Sequence, residues 1–395
     1  MLLLNHRSQY QEFTLDLSRT CAQATIGEDL GLDPASVEVL LTRWKTAAAV
    51  PGGIAAAYYC GVRADGTRTK HLVISLMFLA HLALFATALA QTAWEFLGTR
   101  VAFAAASAGL RTVLPVLATH AVHPRNYSIA IAAVMLSHGV GEAIGETAVL
   151  FSRPGPELWR ACFFTISAIG FVCTAALARW LVEVARIEDL GPCPPVAPGC
   201  TLRNTFLLVS GFLGTIPPVA NGLLLSRFGA HQQQQQRAAW TENDTVGQVA
   251  CWVVGSALGV LLGGFVGRGM HAARALPWQG GLCWLACSLA GVCALDAMLV
   301  GDTGHCALTL AGAALGGIVT PNLHAALVMH NPERRGAVAG VLAMCTTSAG
   351  VVASLVGSHL AFAYGEGCAL FVLNMAWLTS GFFFYLATLV DDAAL

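Results

Sequence analysis

Residues 71–94 read HLVISLMFLAHLALFATALAQTAW, and this run contains no Asp, Glu, Lys or Arg. An α-helix needs roughly 20 consecutive apolar residues to cross the hydrocarbon core of a bilayer. The run therefore predicts a membrane-spanning helix. Two cations, Arg68 and Lys70, lie directly before it, so the predicted helix has one basic end.

Apolar windows of the same kind recur along the 395 residues. Charged residues make up only 11% of the chain and hydrophobic residues 56%, whereas a soluble domain carries about 25% charged residues. We therefore predict an all-α, multi-pass membrane protein with eleven clear spans. The spans are expected near 46–62, 71–94, 96–118, 128–151, 161–183, 205–225, 246–267, 279–300, 305–329, 337–363 and 368–390.

The cations between the spans are concentrated on one side of the predicted membrane. Cytoplasmic loops of membrane proteins are enriched in Lys and Arg, so the richer set of gaps is assigned to the cytoplasm. That set holds Arg63, Arg68, Lys70, Arg125, Arg179, Arg186, Arg203, Arg268, Arg274, Arg334 and Arg335. The alternate gaps hold Arg153, Arg160, Arg227 and Arg237.

The chain divides into two similar halves. The proline-rich stretch 186–203 is interpreted as a cytoplasmic linker between an N-terminal bundle, 1–185, and a C-terminal bundle, 204–395. GVRAD at 61–65 closes one span, and GGFVGR at 263–268 closes its counterpart about 200 residues later. Repeated helical units are a common transporter plan, with the substrate site near the repeat interface.

Four motifs, in order along the chain, carry a family resemblance. They are IGEDLGL at 26–32, GVRADGTRTK at 61–70, WRACF at 159–163 and PERRG at 332–336. Together they resemble the major facilitator superfamily, whose fold is two six-helix bundles. The second motif departs from the family pattern at Gly66, where an Arg is usual.

The resemblance implies a gate on the cytoplasmic side. In the outward-open state Asp65 would lie at the N-terminus of the helix that begins near Gly336, where a carboxylate is stabilised by the positive end of the helix. The gating residues implied by the resemblance are Gly61, Asp65, Arg68, Lys70 and Arg335.

Within the superfamily, the chain is most similar to the spinster-like branch. Arg100 followed by Pro115 resembles the fourth helix of that branch, and LSRT at 17–20 resembles the end of its first helix. Ser18 and Ser107 stand where the branch usually has acids. A proton-coupling role at those two positions is therefore in doubt.

The first helix of the family is not recognisable in this sequence. Residues 5–30 include many polar and charged residues and contain no 18-residue apolar window. Two interpretations stay open. The chain lacks most of its first helix, or the helix is divergent and polar and is shielded inside the bundle.

Ionisable residues inside predicted spans are the main candidates for a substrate or coupling cavity, because such groups are costly in a bilayer and face partners or water. His138, Glu142 and Glu146 are spaced i, i+4 and i+8, on one helix face. They form either a protonatable stripe or fixed ion pairs with Arg100 or Arg111. Asp296 and His324 are the candidates in the second half.

Cations outnumber acids among these groups in the first half. Arg43 and Lys45 join Arg100 and Arg111, because the first span is expected to reach back to Val37. Arg43 and Lys45 either belong to the cavity or snorkel to lipid headgroups from the outer end of the helix. A cavity with surplus positive charge favours a substrate with a carboxylate or phosphate. The predicted function is thus secondary active transport of a small organic or amphipathic solute by alternating access, with proton coupling open. A transport-inactive sensor or scaffold is the alternative.

Several further expectations complete the prediction. No enzyme, metal or cofactor motif is present in the sequence, and the expected partners are a small solute, protons and the bilayer rather than nucleic acid. The protein is expected to be a monomer in the plasma membrane or an endolysosomal membrane.

In the outer loop 226–245, Asn243 matches a glycosylation triplet and the glutamines 232–236 are expected to be disordered.

The stripe hypothesis predicts that Glu142→Gln abolishes uptake driven by a proton gradient, because the substituted side chain cannot bind and release a proton. Uptake into proteoliposomes under an imposed gradient measures this. Full activity of the variant would assign Glu142 to structure.

Overall fold

The computed structural model describes residues 26–27, 29–32, 45–66, 69–137, 158–180, 201–235, 242–272, 276–299 and 304–390. Apart from turns and short connections, the described residues are helical. The helices of the first half are α1 Lys45–Gly66, α2 Thr69–Leu89, α3 Ala93–His120, α4 127–137 and α5 Leu158–Trp180. Those of the second half are α6 Leu202–Gln235, α7 Glu242–Ala272, α8 Leu276–Leu299, α9 Gly304–Gly317, α10 Val319–His330, α11 Arg335–Tyr364 and α12 Glu366–Leu389.

These helices confirm the predicted all-α membrane fold. Seven candidate spans in the described part of the chain are long and apolar enough to cross a bilayer. In the hydrocarbon core every backbone N–H and C=O must be satisfied inside the protein, which is why spans of this composition form helices. The residues before Ile26 lie outside the described part, and so does the question of the first helix.

Helix α3 shows how local sequence sets a helix start. Thr92 accepts a hydrogen bond from the Glu95 N–H through its hydroxyl at 3.2 Å, and Glu95 accepts one from the Thr92 N–H at 3.2 Å. This reciprocal pair satisfies N–H groups that have no partner within the helix. It fixes the beginning of the helix that carries Arg100.

The chain folds into two compact units. Unit 1 comprises Met1–Ala121, Ser137–Pro194 and Glu333–Met344, and unit 2 comprises Val122–Leu136, Pro195–Pro332 and Cys345–Leu395. Each unit therefore includes a short segment from the other half of the sequence.

Unit 1 is held together by close helix contacts and by aromatic pairs. Gly109 of α3 lies against Cys60 of α1 and Leu76 of α2, with no room for a side chain. Gly170 of α5 lies against the ring of His81, which is fully buried on α2. Small residues at such positions let membrane helices approach closely.

Unit 2 contains a glycine stripe on α7 with a spacing of four residues. A methyl group on Gly255, Gly259 or Gly263 would overlap a backbone carbonyl of the neighbouring span, at Leu310, Ala314 and Ile318 respectively. The carbonyls have the same spacing, because both helices repeat about every 3.6 residues. Backbone approach along this stripe joins α7 to α9.

The span after α8 is broken near its middle. Residues 304–317 and 319–330 form α9 and α10, separated by a turn at Ile318. The Asn322 amide donates to the Ile318 carbonyl at 2.8 Å and to the Gly263 carbonyl at 3.0 Å, and it accepts from Gln279 at 2.8 Å. This buried network satisfies backbone groups at the break, as a membrane interior requires.

Two expectations for the outer loop 226–245 are wrong. Helix α6 continues to Gln235, so the backbone of residues 232–235 is helical rather than disordered. Glutamine is a good helix former, and it propagates a helix that has already started. Asn243 lies in the first turn of α7 rather than in a loop.

The glycine stripe predicts that Gly259→Ala destabilises the protein. Its methyl group would overlap the Ala314 carbonyl, and such overpacking costs about 1–3 kcal/mol. A lower melting temperature in detergent is expected. Gly269→Ala on the same helix is the matched control, because a methyl group there meets open space. Equal melting temperatures for both variants would contradict the stripe.

Candidate functional site

Arg100 is the clearest candidate for a functional charge in unit 1. Its side chain is 0% exposed, in the first third of α3. The guanidinium carbon lies 4.9 Å from the ring centroid of Phe103 and 5.4 Å from that of Phe163 on α5. Both distances are within the range of cation–π attraction. The rings stabilise the positive charge through their faces, without accepting conventional hydrogen bonds from its N–H groups.

A guanidinium is chemically suited to anions. Its planar N–H donors match the two oxygens of a carboxylate or phosphate. Removing water strengthens that pairing, because electrostatic attraction grows as the dielectric constant falls. The position of Arg100 therefore fits recognition of an organic anion.

Three residues that sequence reasoning did not assign to a site meet at one end of unit 1. One carboxylate oxygen of Asp29 accepts hydrogen bonds from the Trp159 indole at 3.1 Å and from Arg160 at 2.8 Å. Arg160 also donates to the Ala88 carbonyl at 3.0 Å, at the end of α2. Trp159 and Arg160 carry part of the family resemblance, but nothing in the sequence pairs them with an acid about 130 positions away.

The structure places Asp65 at the N-terminus of α11. Its two carboxylate oxygens accept hydrogen bonds from the N–H groups of Gly336 at 2.6 Å and Ala337 at 2.7 Å. These N–H groups have no partner within the helix, and the helix end carries a partial positive charge. The contact joins a helix of the first half to a helix of the second half. Asp65 thus lies where the family resemblance implies it, and its gating role stays a prediction.

Glycines explain how α1 and α11 come close enough for this contact. A methyl group on Gly61 would overlap the Gly336 carbonyl and lie 2.9 Å from the Cα of Gly340. Side chains at these positions would separate the helices. Gly61 is therefore part of the same contact as Asp65.

A second contact, inside unit 2, joins the halves without a charge. A methyl group on Gly264 would lie 2.7 Å from Ala132 on α4, and one on Gly267 would overlap the Ser128 hydroxyl. When the motif that begins at Gly263 is aligned with the motif that begins at Gly61, Gly267 corresponds to Asp65. The two contacts thus differ chemically. One is a carboxylate on a helix end, and the other is close packing.

The remaining predicted residues are placed as follows. Arg111 is exposed on α3, so the structure does not give it the buried environment of Arg100. His324 is half-buried on α10, and Asp296 lies in α8. Lys70 and Arg335 are half-buried in the first turns of α2 and α11. His138, Glu142, Glu146, Arg43 and Arg68 lie outside the described residues, and for Lys45 only the helical backbone is described.

A family model for the major facilitator superfamily matches residues 17–354. The chain belongs to the major facilitator superfamily. It is an integral, multi-pass membrane protein with the fold of a transporter. The family consists of transporters, which agrees with the expectation that the chain is not an enzyme. The spinster-like branch is not supported by these matches and stays a prediction.

Solved structures of transporters have the same fold at low sequence identity. The human organic anion transporter MFSD10 (TETRAN) has a TM-score of 0.76 at 14% identity, over 97% of both chains. The transporter FucP in the outward conformation has a TM-score of 0.72 at 13% identity, over 98% of both chains. A bacterial homologue of the iron transporter ferroportin, in its outward-facing state, has a TM-score of 0.70 at 15% identity, over 98% of both chains. A comparison with curated proteins gives no match.

The Asp65 contact predicts that Asp65→Asn shifts this superfamily member toward an inward-open state. The amide keeps one acceptor oxygen and loses the charge at the helix end, which is worth about 0.3–1 kcal/mol, a two- to fivefold change in the state ratio. Accessibility of introduced cysteines on the two membrane faces to an impermeant thiol reagent measures the shift.

Glu95→Gln is the matched control, because Glu95 also sits at a helix N-terminus and, among the described residues, its carboxylate accepts hydrogen bonds from Gln91 and Thr92 of its own segment. Its labelling pattern is expected to equal that of the wild type. An unchanged pattern in Asp65→Asn would refute the gating role.

Proposed function

We propose that this protein is a secondary carrier of small organic anions that works by alternating access, with Arg100 as the residue that binds the anionic group of the substrate. The observation that carries the proposal is the buried guanidinium between two aromatic faces. An ionised group inside a membrane protein is costly and is a functional candidate by default. Aromatic walls also suit a substrate with an apolar part next to its charge.

The electrostatic balance of the first half supports an anion. Arg100 and Arg111 lie in its predicted spans, with Arg43 and Lys45 where the first span is expected to begin, and an excess of positive charge raises the local concentration of negative solutes. The structure buries Arg100 and leaves Arg111 exposed. One solved structure with the same fold is named as an organic anion transporter. That likeness supports the substrate class proposed here.

Alternating access requires contacts between the halves that form in one state and break in another. The Asp65 contact and the Gly264–Gly267 packing both join helices of different halves. The first depends on two hydrogen bonds and a helix end, so a change in the charge of Asp65 alters its strength. We propose that both contacts break when the carrier opens to the cytoplasm.

We further propose that transport of the anion is coupled to protons. The stripe of His138, Glu142 and Glu146 supplies protonatable groups at helical spacing. A proton bound there would offset the negative charge of a substrate on Arg100. The alternative function, a transport-inactive sensor or scaffold, is favoured by Ser18 and Ser107 at positions where the spinster-like branch has acids.

The proposal predicts saturable uptake of at least one organic anion into proteoliposomes. Radiolabelled benzoate, succinate and lysophosphatidate are suitable probes, because they combine a carboxylate or phosphate with different apolar parts. Arg100→Gln is expected to lower uptake at subsaturating probe by about 30-fold or more, since removing a buried charged partner costs at least ~2 kcal/mol.

Arg179→Gln is the matched control, because Arg179 is exposed in the last turn of α5. Its uptake is expected to equal that of the wild type. Normal uptake in Arg100→Gln would refute the role of Arg100. Thermal stabilisation of the wild type by a probe, without uptake of any probe, would favour the sensor.

A further inference from the structure

A continuous column of side chains connects Arg100 to one end of unit 1. Phe163 contacts the Arg100 guanidinium, and the Phe163 and Trp159 rings meet edge to face, with centroids 6.0 Å apart. Phe96, one turn before Arg100 on α3, also meets this indole edge to face, with centroids 6.0 Å apart. Aromatic pairs at this distance and angle are attractive and directional. The indole therefore contacts the ring that lies over Arg100.

The far end of the column is fixed by hydrogen bonds. The Asp29 oxygen holds both the Trp159 indole N–H and the Arg160 Nε–H. The Arg160 guanidinium also lies 4.5 Å from the centroid of the Trp159 ring and donates to the Ala88 carbonyl. The indole is thus held at its edge by an acid and at its face by a cation.

Asp29 lies in the last turn before a helix end. The Leu32 N–H donates to the Gly27 carbonyl at 2.8 Å, and Gly31 has a φ of 67°. This is the usual end of a helix with a left-handed glycine. Ile26 and Leu30 are buried in unit 1, so the turn is anchored on both sides of Asp29.

We infer that Asp29, Trp159 and Arg160 are positioning residues, which hold Phe163 over Arg100 and thereby set how the guanidinium meets an organic anion. This inference rests on the proposed function of Arg100. In addition, the affinity for the anion depends on the hydrogen bonds of Asp29 with Trp159 and Arg160, which lie beyond the Phe163 ring from the guanidinium.

The neighbouring residue Phe164 offers an internal comparison. It is adjacent to Phe163 in sequence, yet its ring pairs with Phe85 at 5.3 Å and its side chain is half exposed. Phe163 is almost fully buried, between Trp159 and Arg100. The same substitution at 163 and 164 therefore separates an effect on Arg100 from a general effect on α5.

The first test measures KM and the maximal rate of uptake for benzoate, succinate and lysophosphatidate. Phe163→Leu and Trp159→Leu are expected to raise KM about 10-fold with little change in maximal rate, because they remove an aromatic contact and loosen the guanidinium. Phe164→Leu is expected to keep the wild-type KM. A wild-type KM in Phe163→Leu and Trp159→Leu would overturn the inference.

Conservative variants test the hydrogen bonds. Asp29→Asn keeps an acceptor oxygen for the indole and is expected to keep a KM nearer to the wild type than Asp29→Ala does. Asp29→Ala is expected to raise KM, but not further when combined with Phe163→Leu, because both changes act through the same ring. Fully additive effects in the double variant would overturn the proposed column.

A second readout does not depend on transport. Phenylglyoxal reacts with guanidinium groups, and mass spectrometry of the Arg100 peptide gives its rate of modification. Trp159→Leu and Phe163→Leu are expected to raise this rate relative to the wild type, and Phe164→Leu is not. Equal rates in all variants would overturn the inference.

These readouts separate the two proposals. If Arg100→Gln abolishes uptake while Phe163→Leu and Trp159→Leu leave both KM and labelling unchanged, the anion site stands and the positioning role fails. If the aromatic variants change Arg100 labelling while Arg100→Gln transports normally, the guanidinium is positioned but does not bind the substrate.

Discussion

The positive charge of Arg100 is the constraint on which the functional interpretation depends. Inside a bilayer a guanidinium loses its hydration, and the protein has to replace it. Two aromatic faces do so in part, one from the same helix and one from α5. The planar N–H groups of that charge are the chemically specific part of the proposed site.

The architecture around that charge follows from a second constraint, the need for close backbone contact in lipid. Membrane helices associate through packing and polar contacts rather than through the hydrophobic effect. The stripe of Gly255, Gly259 and Gly263 and the close approach at Gly61 meet that need in different ways. The first is a long seam within unit 2. The second brings Asp65 within hydrogen-bonding distance of a helix end, so this contact depends on the absence of a side chain at Gly61.

Hydropathy predicted the described helices well, because apolar length is a direct physical requirement for crossing a bilayer. The family resemblance placed Asp65 at the start of α11. The helix break between α9 and α10 at Ile318 was not predicted, because it depends on tertiary hydrogen bonds of Asn322 with Gly263 and Gln279. The pairing of Asp29 with Trp159 was also missed, because periodicity carries no information on contacts between distant segments. Composition was misleading for the glutamine run, where an existing helix continues as far as Gln235.

The most direct measurement of the central claim is an anomalous-scattering map of the protein crystallised with 4-iodobenzoate. The account predicts an iodine peak within one ligand length of the Arg100 guanidinium, with the carboxylate facing its N–H groups and the iodinated ring among the neighbouring aromatic side chains. An ordered iodobenzoate elsewhere in the protein, with the surroundings of Arg100 unchanged and unoccupied, would contradict it.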